Sequence, residues 1–148
     1  MAQGYWFTSS LFDIQDGEDN ETNPDCYGKS LAEWLCSKFR DLGYNANVIP
    51  EDWGWCVMCV YGDYLLWIGC GVVDIRGGTE NYEDNTIPKG SDVVWHVFTT
   101  AEIPFFMVKS LVRKWMGRLD LKTPLEKLNT ELGATLKEQP EIIFCEEP

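Results

Sequence analysis

The chain has 148 residues, 45% of them apolar with seven Trp, six Tyr and seven Phe, and a formal net charge of −12. That length and composition suit one globular domain able to bury a core without disulfides, and they exclude a disordered chain. The acidic surface repels nucleic acid phosphates and anionic lipid, and no run reaches the ~18 uncharged apolar residues of a membrane helix.

The charge is unevenly spread. Residues 1–30 carry six acids against Lys29 alone, and residues 120–148 carry seven acids against three lysines. Residues 93–119 reverse the sign, setting Lys109, Arg113, Lys114 and Arg118 against Glu102. The N-terminus lacks a basic stretch and turns acidic after Phe12, so no secretory signal is read and a cytoplasmic location is expected. In such a reducing compartment the six cysteines are expected to be free, buried thiols.

In chain order, residues 4–14 are rich in aromatic and β-branched types and read as a strand, followed by the acidic loop 15–25. Ser30 and Glu33 form a capping-box pattern for a helix whose Leu31, Trp34, Leu35, Phe39 and Leu42 share a face, and Gly43 closes it. Residues 45–50 read as a short strand, 53–61 and 64–72 as a hairpin, 74–91 as a long loop and 92–99 as another strand. Pro104 opens a second helix that runs to Leu119, with Phe105, Val108, Leu111, Val112 and Trp115 on its expected core side. Thr123, Pro124 and Glu126 cap a third helix through Leu136, and residues 141–145 read as a last strand. This order predicts a single α+β domain over residues 1–148, a mostly antiparallel sheet with helices packed on one face.

The hairpin can be folded on paper. A two-residue turn at Gly62-Asp63 pairs Tyr61 with Tyr64, and the register puts Trp53, Trp55, Val57 and Cys59 on one face with Gly54, Cys56, Met58 and Val60 on the other. Cys56 and Cys59 form a Cys-x-x-Cys, but three residues apart in a strand they point to opposite faces, so no zinc or other metal site is expected. Both faces are apolar, so both need a cover: helices on one side, and on the other the C-terminal helices, a second subunit or a ligand. Gly54, Gly69 and Gly71 leave a patch without side chains beside Cys56, Met58 and Trp67, either for close packing or as a ligand floor. Glu51 and Asp52 abut Trp53 and Trp55, and carboxylates beside indole rings suit an organic cation.

His96 is the sole histidine and reads as a hydrogen-bonded core residue, with a Cys-His nucleophile pair as the sharper alternative. The acidic loop fails as a calcium site: counting from Asp16, position six is Glu21 where glycine is required and position twelve is Tyr27 where glutamate is required. No phosphate loop, dinucleotide fingerprint, nucleophile elbow or zinc-protease motif is present, which lowers an enzymatic reading, and no cofactor is expected.

The segments GYW near the start, YGKSLAEWLCSKFRDLGY and PEDWGWCVMC together resemble a family of uncharacterised small bacterial proteins of the kind carried on mobile gene cassettes. The resemblance implies a small cytoplasmic bacterial protein and carries no activity or functional residue.

Three functions follow as expectations. The first is a non-enzymatic acidic protein that binds a basic protein partner, as immunity proteins and antitoxins do, steered by Asp16, Glu18, Asp19 and Glu21 and by Glu80, Glu83 and Asp84. The second is a module that binds a small organic cation through Glu51, Asp52, Trp53, Trp55, Met58, Trp67, Gly69 and Gly71. An enzyme using a cysteine or His96 is third. No nucleic acid or membrane partner is expected, and a homodimer is open.

Overall fold

The computed structural model describes residues 3–74, 87–104 and 106–148. It is an α+β fold with a six-stranded, wholly antiparallel open sheet. In chain order the elements are β1 (Gln3–Ser9), α1 (Lys29–Asp41), β2 (Asn47–Glu51), β3 (Gly54–Tyr61), β4 (Leu65–Asp74), β5 (Val93–Glu102), α2 (Val108–Trp115), α3 (Lys122–Lys137) and β6 (Ile142–Cys145). The strand order is β2-β3-β4-β5-β1-β6, so the first strand is inserted between β5 and the last. Among the described residues no helix is long and apolar enough to cross a membrane.

The core lies on one face of the sheet. Phe7, Trp55, Val57, Leu66, Ile68, Trp95 and Val97 project from successive strands onto Leu31, Leu35 and Phe39 of α1 and Leu128, Leu132 and Leu136 of α3. Alternation along each strand sends the intervening residues to the other face. No described helix packs there. The C-terminal helix α3, one of the covers expected for that second face, lies on the same side as α1.

Local chemistry explains where the elements differ from expectation. β1 ends at Ser9, whose Oγ accepts the Leu11 N–H at 3.0 Å and turns the chain, letting Phe12 drop into the core. Gly43, at φ 99°, closes α1 as its position implies, and the Tyr44 N–H returns to the Phe39 carbonyl. The cap at the other end of α1 is not Ser30. Glu18, eleven residues upstream, accepts the Lys29 N–H at 2.9 Å and the Gln15 N–H at 3.1 Å. For α3 the cap moves from Thr123 to Asp120, whose Oδ1 accepts the Lys122 and Thr123 N–H groups.

The hairpin keeps the expected register from Trp55–Cys70 to Met58–Trp67, then slips by one residue at a β-bulge, so that Tyr61 faces Leu65 across a three-residue turn. The bulge brings both Cys59 and Val60 onto the core. α2 is shorter than expected, and Gly117 at φ 74° stops it, with the Arg118 N–H bonded to the Arg113 carbonyl. Its apolar side is not buried as expected. Val108, Leu111, Val112 and Trp115 are exposed, and the residue buried on this helix is Ser110.

Candidate functional site

The second face of the sheet carries a row of aromatic rings that spans three strands and one turn. Trp67 on β4, Phe98 and His96 on β5 and Trp6 on β1 all point there, and Trp53 leans in from the turn between β2 and β3. Trp53 stacks on Trp67 at 5.6 Å and meets Phe98 at 5.5 Å; Phe98 contacts Trp67 at 5.6 Å and His96 at 5.2 Å. His96 lies flat on Trp6, with centroids 3.7 Å apart and planes within 4°. Trp53 is 41% exposed and the other four rings are half-buried.

Two glycines on β4 shape this row. Gly69 sits opposite Phe98, and any side chain at Gly69 would fall on the Phe98 ring, so the glycine is the bed on which that ring lies. Gly71 sits opposite His96, and a Cβ there would meet nothing within 4 Å. Of the three expected glycines, only Gly71 leaves open floor. Met58, opposite Trp67, lies beside the row and is half-buried.

Trp55 corrects the expected site. It is 2% exposed on the core side, with the Lys29 ammonium over its ring at 5.3 Å and its Nε1 without a hydrogen-bond partner among the described residues. Simple alternation puts Trp53 and Trp55 together, but Gly54 intervenes at φ 154°, a conformation other residues rarely adopt. There a Cβ would stand 2.6 Å from the Cys70 carbonyl oxygen. This glycine starts β3 afresh and throws Trp53 to the opposite face.

Carboxylates bound the row at both ends. Glu51 and Asp52 are exposed beside Trp53, and Glu102 accepts the Trp67 indole N–H at 3.2 Å. Cys56, buried beneath this face opposite Gly69, has its thiol pushed up to about 12, first by burial and then by the charges of Glu51 and Glu102. At the far end burial lowers the His96 pKa against the opposing charge of Glu147. Among the described residues no strand contains a lysine or arginine.

The buried thiols of β3 and β4 do not suit nucleophilic work; Cys26 is half-buried and Cys145 exposed, against the expectation that all six are buried. Burial pushes Cys59 up to about 12 and Cys70 well above the ordinary thiol value, the reverse of an activated cysteine. His96 makes its ring contacts with Trp6 and Phe98. Cys56 and Cys59 face opposite sides of the sheet, and no cluster among the described residues could hold a metal ion.

The acidic loop is largely engaged with itself and with its neighbours in the fold. Asp19 accepts the Asp25 N–H, Glu21 pairs with Lys29 at 3.3 Å, and the Asn23 N–H reaches the Asp52 carbonyl. Asp16 is exposed, whereas Glu18 is buried at the start of α1 and its carboxyl oxygens serve the fold as hydrogen-bond acceptors. Glu80, Glu83 and Asp84 lie outside the described residues.

Losing both Glu18 acceptors strands two backbone donors, so Glu18→Ala is expected to cost about 2 kcal/mol at neutral pH. Burial outweighs the hydrogen bonds from Lys29 and Gln15 and the Lys29 charge, so this carboxyl stands above the ordinary glutamate value. The native state binds the Glu18 proton more tightly than the unfolded chain does. Its contribution is therefore fullest below the ordinary glutamate pKa and falls as pH rises through the raised one. Urea unfolding should show the gap between wild type and Glu18→Ala narrowing from acid to neutral pH. A gap that widens would contradict the assignment.

Sequence reasoning placed Trp67, Met58 and the glycines at this face, set Trp53 on the opposite one, and did not bring Trp6, His96 and Phe98 to it. The chain matches no protein-family model, no curated protein and no solved structure.

Proposed function

We propose that the protein is a non-enzymatic binding protein whose aromatic sheet face takes a basic segment of a protein partner. The observation that carries this reading is the five-ring row with carboxylates at both ends, on a sheet whose described strands hold no lysine or arginine. Guanidinium and ammonium groups are attracted to the faces of Trp rings, and Arg also stacks on them while its fork engages a nearby carboxylate. The row runs from Trp53 through Phe98 to Trp6, an extended line of rings that fits a side-chain array better than one enclosed molecule. Long-range attraction to a −12 surface speeds the encounter, and the rings supply the buried anchor.

Steering then rests on Glu51, Asp52, Glu102 and Glu147 around the face, together with Asp16, and not on Glu18. A second reading, a small organic cation, draws on the open floor at Gly71 beside His96. Titration with an oligo-arginine peptide, followed by tryptophan fluorescence, separates the two. Saturable binding that weakens with salt and falls about tenfold in Trp53→Ala is expected, the effect of ~1.4 kcal/mol of lost ring contact. Absence of peptide binding at low salt sinks the proposal. A tetraalkylammonium ion that binds while the peptide does not makes the second reading the better one.

A further inference from the structure

Helix α2 is attached the wrong way round. Ser110 is its buried residue, and Arg113 reaches Asp63 in the β3–β4 turn at 2.8 Å, so the polar side faces the body of the protein. At about 100° per residue, Val108, Leu111, Val112 and Trp115 share the opposite side. All four are exposed, Trp115 to 89%, with exposed Phe106 and Met116 at either end. A cleft of about 510 Å³ lined by Lys114, Leu119, Leu121 and Leu125 separates the end of this segment from α3. Residues 103–119 contain no acid and four cations, in a chain of net charge −12.

We propose that α2 of one copy docks on the aromatic face of a second copy, reciprocally across a two-fold axis. The proposal rests on the same face as the proposed function: the chain itself carries a basic, apolar segment of the kind that face would take. Charge complementarity selects this occupant. Lys109 and Lys114 lie near the borders of the apolar stripe, and Glu51, Asp52, Glu102 and Glu147 surround the face. Pairing of two α2 helices would set like charges together. A bilayer with anionic headgroups would attract this helix and repel the rest of the chain. Reciprocity matters because an eight-residue helix buries little alone, while a specific interface clears about 1,000 Å². Two symmetric contacts close the assembly as a dimer and leave neither apolar surface uncovered. A dimer so formed occludes the face, so a basic partner competes with self-association.

Sedimentation equilibrium at low salt tests this. A species of twice the chain mass is expected, dissociating as salt rises, with Trp115→Asp and Trp53→Ala each weakening it at least tenfold. Mixing those two variants distinguishes the arrangement from any other. Their heterodimer joins the intact helix of one to the intact face of the other, so it should form more tightly than either variant with itself. A monomer at all concentrations overturns the proposal, as does a dimer indifferent to Trp53→Ala. Binding of the monomer to phosphatidylserine vesicles, lost in Trp115→Asp, also overturns it. Oligo-arginine binding to Trp115→Asp reads the proposed function separately: binding with no wild-type dimer removes only this inference, and a dimer with no peptide binding removes only the other.

Discussion

Gly90→Ala is expected to destabilise the protein by about 3 kcal/mol, lowering the melting temperature by roughly 10 °C. Gly90 is buried just before β5, and a Cβ there would overlap the Phe12 carbonyl. The clash is with backbone, which cannot swing aside as a side-chain tip can. Relief requires moving residues 12–13 away from the sheet, and that motion spreads. The Gly90 carbonyl accepts the Trp95 indole N–H at 2.9 Å inside the core. Phe12 in turn packs edge-on against Trp95 at 5.4 Å and Trp34 at 5.3 Å. A shift at Gly90 therefore strands a buried donor and loosens an aromatic cluster together. Thermal unfolding with near-ultraviolet circular dichroism checks this. Gly71→Ala is the control, since its Cβ meets nothing within 4 Å, and it should melt within about 2 °C of wild type. Equal melting of Gly90→Ala and wild type would show that Phe12 and Gly90 are not in contact.

What the sequence made legible was the short-range part. The hairpin register from Trp55 to Met58 follows from alternation, and Gly43 ends α1 because a left-handed position there suits glycine. The bulge at Cys59 was not legible, since Cys59 and Val60 are both apolar and satisfy the pattern in either register. Glu18 was read as a surface charge because nothing local reveals that a carboxylate eleven residues away will cap α1. The α2 stripe was placed in the core because periodicity identifies an apolar side but not what it faces. The aromatic row was half legible for the same reason. Trp67 and Met58 follow from the hairpin register, Trp53 does not because alternation does not foresee the turn at Gly54, and Trp6 reaches His96 only because β1 inserts beside β5, a long-range pairing. The shared parity of His96 and Phe98, and of Gly4 and Trp6, was the signal available for that pairing.

Gly69→Ala is expected to cost about 2 kcal/mol and to remove peptide binding along with it, because the new methyl falls on the Phe98 ring. Phe98 is the hinge of the row, touching Trp53, Trp67 and His96, so its displacement separates the two Trp rings at one end from the His96–Trp6 stack at the other. A ring can move where a carbonyl cannot, which is why the stability cost is smaller than at Gly90 and the functional cost larger. The cause can be isolated by a double-mutant cycle. Phe98→Ala alone weakens binding, but in that background Gly69→Ala has no ring to strike and should add little further cost, giving strong coupling between the two sites. Accessibility of Cys56 gives an independent readout. It is 2% exposed, paired with Gly69 on this face, and should be inert to alkylation in the wild type. Phe98 lies over Gly69, the strand neighbour of Cys56, so its displacement is expected to open this face and Gly69→Ala to alkylate at Cys56 under conditions where the wild type does not. Additive costs in the cycle and an unreactive Cys56 would together mean that Gly69 acts on the strand backbone and not through the ring above it.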